Sequence, residues 1–400
     1  MKQTKAPITL KTLAAEDIYH LAEQFTHQHP RPKTTRGRKP LYPEALILTL
    51  ALLQVAQQAS YRQLLFGLAP QLLPTHALPA LGTWLYRLQT LPEARWHALL
   101  TWLAEQGIAL EPPAKPLEKP LVLVDGTGWG FDTPYYAQYR RGAEIRQMRS
   151  HVKGVVLGYW QGGVVWLVGA SLGDAYANEA HLMAEWLDRY GGAGGTGLPV
   201  PCGEALWVGD KLYGRQARLL ERVEAVGWLP VVRVAPSLYQ QVRAPSRLRA
   251  LGRLEEYGWA LKERYRIEPV FGSVHGAYGS YMGCRRAAYG RVRVWGQLVL
   301  WNRAQYLRVR GGGVFCCVWG VVVVWCGVGR GIFEHPQGGL KQSRKAWYNA
   351  LVRVSRDGAQ VSQSILRAYR TLLQQREIRR ERPRVRLDRE AIRSIHFLGT

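Results

Sequence analysis

The sequence predicts an α/β protein, a mixed sheet with flanking helices, preceded by an all-α region. Three observations predict it. Apolar residues recur at helical spacing through roughly the first hundred residues, a proline cluster follows, and beyond it β-rich runs come first and then alternate with helical ones.

In the first part Leu10, Leu13, Ile18, Leu21 and Phe25 keep a helical period. Pro43 opens the run Glu44 to Ala56, as expected of a proline at a helix start. Ser60 is a candidate N-cap for a short helix containing Arg62. A turn and a second short helix from Thr83, carrying Arg87, follow. Two short helices across a turn form either a helix-turn-helix with 83–88 as its reading helix or a packed bundle. Upstream, the proline-broken stretch 31–40 carries Arg36, Arg38 and Lys39. It reads as a DNA-contacting arm or as a solvated linker. A helix over 92–106 and prolines 112, 113, 116 and 120 set a boundary, giving an N-terminal domain over 1–111.

After Pro120 the first strand, Leu121 to Val124, runs into Asp125 and a glycine turn. Two runs, 151–160 and 164–171, joined by Gln161-Gly162-Gly163, read as a hairpin. A helix over 178–190, a strand over 205–210 ending in Asp210, a helix over 216–226 and a strand over 228–234 complete the sheet, in a domain expected to span 120–308. Gly192 to Gly197 matches a dinucleotide-binding expression but follows a helix, so it reads as a loop. His181 and Glu185 read as surface helix residues. The tail, 309–400, is first rich in glycine and valine and then basic. Its early apolar run is broken by glycine and reads as β-prone, not as a membrane span. The Arg-rich segment 376–393 is either a charged helix touching DNA or a solvated end.

Composition narrows the partners. Lys and Arg number 54 against 29 Asp and Glu, a net charge of +25, which favours a polyanion, nucleic acid first and an anionic membrane surface second. With 47% apolar residues, 15 Trp and 20 Tyr, the chain has ample core. The first residues are amphipathic, so no secretory signal is expected and the expected compartment is cytoplasmic. The 5 Cys lack CxxC spacing, which argues against both a disulfide framework and structural zinc.

The chemistry is expected from acids. Asp125 and Asp210 both end strands. If those strands are neighbours, both carboxylates project from one sheet edge, where sites in such sheets form. Two carboxylates together repel and a divalent cation relieves the repulsion. Oxygen donors suit Mg²⁺ or Mn²⁺. Glu268 is the candidate third acid, with Glu263 in reserve. Arg264 lies one turn before Glu268 and is placed to hold a phosphate. Pro269 predicts either a distorted helix there or one that begins at Pro269. Lys153 reads as a phosphate contact or a solvent-facing strand lysine, and Arg140, Arg141, Glu144 and Arg149 as lining a DNA channel.

Val124-Asp125-Gly-Thr-Gly, Gly209-Asp210-Lys-Leu-Tyr-Gly and Arg264-x-x-x-Glu268-x-x-Phe-Gly, in this order, resemble the DDE transposases of bacterial insertion sequences. Arg38 to Pro43 and Ser60 to Leu64 are similar to that family's N-terminal region. The resemblance implies a ribonuclease H-like catalytic domain with Asp125, Asp210 and Glu268 as catalytic residues and metal ligands for two ions. It also implies strand cleavage and transfer on double-stranded DNA, usually by a homodimer. Lys211, beside the second acid, is taken with Arg264 as a DNA contact. Many relatives carry a tyrosine three residues before the arginine and a lysine seven after the glutamate; here these are Leu261 and His275, and the lysine's DNA contact is expected to fall to a protonated His275 or to Lys262. A catalytically inactive DNA-binding derivative and a ribonuclease H-like nuclease without strand transfer are the alternatives.

Overall fold

The computed structural model describes residues 13–31, 40–111, 117–131, 136–141, 144–149, 151–191, 205–234, 244–282, 284, 286–310, 317–318 and 321–322. The chain divides into two compact units, Met1–Gly327 and Val328–Thr400, and all the described elements belong to the first.

Helices come first, as the periodicity predicts: α1 (Ala15–Gln28), α2 (Glu44–Ala56), α3 (Ala69–Leu72), α4 (Leu81–Gln89) and α5 (Glu93–Leu110). Pro43 is the N-cap of α2, and α2 is apolar all round because it is buried all round. At Ser60 the backbone amide of Gln63 donates to the serine hydroxyl, and the Ser60 amide donates to the Gln63 side chain. This reciprocal cap starts a π-helical turn over Gln63–Leu68 that leads into α3. Helix α4 begins at Leu81, two residues before Thr83, where the sequence had pointed.

The sheet then forms. Strand β1 is Leu121–Gly130, and β2 (Tyr136–Arg141) pairs with β3 (Glu144–Arg149) as a separate hairpin, which the sequence analysis did not anticipate. Strands β4 (His151–Trp160) and β5 (Trp166–Gly173), helix α6 (Glu179–Tyr190), β6 (Leu206–Val208), α7 (Ala217–Ala225) and β7 (Leu229–Val231) follow. The order is β5-β4-β1-β6-β7, with β4 antiparallel to both its neighbours and β1, β6 and β7 parallel. This is a ribonuclease H-like mixed sheet with flanking helices. The last described helices are α8 (Pro245–Tyr257), α9 (Ala260–Glu263), α10 (Ile267–Tyr278) and α11 (Ala287–Arg310). A two-residue pairing, β8 (Cys317–Val318) with β9 (Val321–Val322), is what is described of the tail. The glycine-rich loop 192–197 and the Arg-rich segment lie outside the described residues.

Alternation along β1 decides what each face meets. Leu121, Leu123 and Trp129 join one core with residues of α1, α2, α5, α10 and α11. Val122 and Val124 face the other way into a second core with α6 and α7. Helix α11 runs through the first core. Its buried Asn302 side chain accepts from the Leu167 amide (2.9 Å) and donates to the carbonyls of Leu167 (2.7 Å) and Leu100 (3.1 Å). One amide thereby ties β5, α5 and α11 together. Among the described residues no helix is long and apolar enough to cross a membrane.

Candidate active site

Asp125 lies within β1 and does not end it. The strand continues to Gly130, paired with β4 as far as Gly130↔His151. The glycines at 126 and 128 are strand residues, not a turn, and each leaves room for a side chain beside it. What ends is the neighbour. Strand β6 pairs with β1 only as far as Leu123↔Val208, so that edge of β1 has no strand partner from Asp125 until Gly130, where Tyr281 bridges it.

Asp210 lies two residues past Val208, the same step as Asp125 past Leu123. The two acids thus leave adjacent parallel strands at equivalent positions, as the sequence analysis required. Asp210 is exposed, and its Oδ1 accepts from the Lys211 amide at 2.6 Å. Lys211 is exposed as well.

Glu268 enters from α10. Between α9 and α10 the chain takes one 3-10 turn, Arg264–Arg266, and Pro269 then falls in the first turn of α10, where its missing amide costs no helical bond. The expected distortion is therefore present, with α10 starting at Ile267. Ile267, Val270, Phe271 and Val274 bury one face of α10 in the first core, and this leaves Glu268 exposed. Glu263 is paired with Arg266, whose guanidinium stacks 4.0 Å over Trp160.

Arg264 joins the acids. Its Nη1 lies 3.1 Å from Asp125 Oδ2 and its Nη2 3.1 Å from Glu268 Oε1. Burial is the strongest influence on Asp125 and raises its pKa. Arg264 and the Gly126 amide (3.0 Å) work in the other direction, and the charges of Glu268 and Glu179 raise it further.

Glu179 joins these acids although no sequence expectation pointed to it. It opens α6 behind the N-cap Asn178, whose side chain accepts from the Ala180 amide. Its carboxylate lies 3.3 Å from Lys153 Nζ, which also donates to the Ala177 carbonyl at 3.2 Å. A Cβ built on Gly126 would lie 2.5 Å from Glu179 Cδ. No motif marks this residue; the available hint was an acid in the first turn of the helix that follows the third strand of the sheet.

The remaining expected contacts are scattered. His275 is half-buried, edge-on to Trp129 with ring centroids 5.4 Å apart, and burial lowers its pKa. Arg87 donates to the Tyr42 carbonyl at 3.3 Å, and Arg62 is exposed. Arg36, Arg38 and Lys39 lie outside the described residues, and so do the side chains of Arg140, Arg141, Glu144 and Arg149. His181 and Glu185 face each other at 3.1 Å on the exposed side of α6.

Among the described residues no three His, Cys, Asp or Glu side chains are spaced to hold an ion together. The guanidinium of Arg264 is the cation that Asp125 and Glu268 share. The donor set is nonetheless all oxygen, of the kind that suits Mg²⁺ or Mn²⁺, and a cation already sits between two of its members. In chemistry the residues fit such an ion.

Residues 116–304 match the family model described as Transposase DDE domain. The chain carries a transposase DDE domain. That domain runs from just before β1 into α11 and takes in Asp125, Asp210, Glu268 and Glu179. An uncharacterized protein of Aquifex aeolicus (strain VF5) is 28% identical over 284 residues, covering 70% of this chain and 83% of its own length. No solved structure matches the chain. The DDE domain supports a transposase-type function on DNA, in a family that generally uses divalent metal ions.

Proposed function

We propose that the protein is a DNA transposase that cuts the ends of its own insertion sequence and joins them to target DNA. Asp125, Asp210 and Glu268 are its metal-holding carboxylates. The observation that carries this reading is the placement of Asp125 and Asp210 at equivalent steps of adjacent parallel strands, with Arg264 linking the first of them to Glu268.

Asp125, Asp210 and Glu268 would hold two Mg²⁺ or Mn²⁺ ions, which would supply charge neutralisation for an in-line displacement at phosphorus. The chain's own residues do the rest. Asp125 is held by the rigid ladder to β4, so its carboxylate is oriented before substrate arrives. Arg264 carries two donors in a planar fork that matches a phosphate as well as it matches the carboxylates it now holds. With Asp125 and Glu268 holding the ions, that fork would be free for the DNA backbone. Lys153 and Lys211 add positive charge near the same edge.

The N-terminal helical stretch, 1–111, is the DNA-binding region in this reading. It comprises the basic arm with Arg36, Arg38 and Lys39 together with Arg62 and Arg87, and a homodimer brings two ends together. The net charge of +25 supports a polyanionic partner. Incubating the full chain with labelled element ends and Mg²⁺ tests the reading. Joined products are expected. Binding without cleavage marks an inactive DNA-binding derivative, and cleavage without joining a nuclease. Asp125→Asn is expected to retain DNA binding and lose cleavage, and full cleavage by that variant removes Asp125 from the site.

A further inference from the structure

Glu179 belongs to the DDE domain but to none of its three expected acids. It reaches the open edge of β1 from the opposite face. Asp125 shares a face with Leu121 and Leu123, whereas Gly126 shares one with Val122 and Val124, against which α6 packs. The Glu179 carboxylate occupies the place a side chain at 126 would take. At this height of the sheet β6 has already ended, so no strand closes the edge between the two faces.

Two further observations show that this is not a chance surface acid. Lys153, one strand away and opposite Gly128, holds Glu179 in an ion pair, and both side chains are about one quarter exposed (25% and 24%). The Tyr213 hydroxyl, from the same segment as Asp210, is fully buried with no hydrogen-bond partner among the described residues. It lies within the field of Glu179, Asp125 and Asp210, which, after burial, raise its pKa. A buried hydroxyl with nothing to bond to is costly unless a ligand or its water completes it.

We propose that Glu179 is a fourth carboxylate of the site, which takes a share of a divalent cation with Asp125 across the gap left by Gly126, and that Lys153 is its counter-ion until the cation arrives. The inference rests on the metal-dependent reading above. Four acids then face the edge, and in the ion-free protein each basic group occupies one side of it, Arg264 with Asp125 and Glu268 and Lys153 with Glu179.

The test uses the full chain and Mn²⁺ alone, with binding followed by the loss of the free-ion electron paramagnetic resonance signal and folding by circular dichroism. Glu179→Gln keeps shape and removes charge; it is expected to weaken Mn²⁺ binding about tenfold with an unchanged spectrum. Lys153→Met, which removes the competing cation, is expected to tighten binding several-fold. Glu179→Asp keeps the charge and is expected to recover part of the loss. Wild-type affinity in Glu179→Gln, with loss in Asp125→Asn, overturns the role of Glu179 and leaves the metal site intact. Mn²⁺ binding that neither variant disturbs, or none by the wild-type chain, overturns both.

Discussion

The guanidinium of Arg264 lies 3.1 Å from the Asp125 carboxylate, and its other terminal nitrogen reaches Glu268 at the same distance. A fixed positive charge thus sits among acids that have been read as metal ligands. It lowers the cost of keeping a half-buried carboxylate ionised when no metal is present.

Removal of that charge separates metal binding from chemistry. Arg264→Met is expected to tighten Mn²⁺ binding several-fold, because a competing cation is gone. Cleavage of labelled ends is expected to fall about 10²–10³-fold, the usual loss when one transition-state donor is removed. Weaker Mn²⁺ binding in this variant would mean that Arg264 organises the acids and does not compete for them.

Asp125 also makes stability depend on pH. Its pKa in the folded chain is raised, chiefly by burial, so the fold binds its proton more tightly than the unfolded chain does. The resulting stabilisation is complete below about 3.9, the ordinary value for an aspartate, and is lost as pH rises through the folded value. Asp125→Asn cannot ionise. It is expected to melt above wild type at pH 7, with the gap closing on acidification; equal melting at both ends of that range contradicts the shift.

Gly126→Ala distinguishes function from folding. The added methyl meets only the far end of the Glu179 side chain, which can swing away, so a stability change below about 1 kcal/mol is expected. The same movement carries Glu179 off the edge, so Mn²⁺ affinity is expected to drop. A large loss of stability with normal ion binding argues for a packing role alone.

Asn302→Ala should be among the costly core changes. It strands the Leu167 amide and two carbonyls in a dry interior, and about 3 kcal/mol is expected in denaturant titration. A cost under about 0.5 kcal/mol, the range of neutral surface changes, rules out the threefold tie as a determinant of the fold.

Arg62 is exposed beside the capped turn at Ser60. If it contacts phosphate, Arg62→Ala weakens binding to all DNA sequences alike and lowers the salt slope by about one. A slope identical to wild type removes it from the interface.

The sequence by itself determined the order of the first helices and of the five strands of the main sheet, the two acids at the ends of apolar runs and the irregularity around Glu268; that the two acids leave neighbouring strands came from the sheet pairing. These follow from local causes: period, proline chemistry and the confinement of an acid at the end of an apolar run. Its error at Asp125 was of the same kind, since Gly126 and Gly128 read locally as a turn, whereas pairing with β4 holds them in a strand to Gly130. The tertiary structure alone decided which cation Asp125 meets, that His275 packs edge-on against Trp129, and that Glu179 reaches the edge from the far face. Each of these is a contact between residues on different elements, made by sheet pairing and helix packing. No spacing along the chain records it.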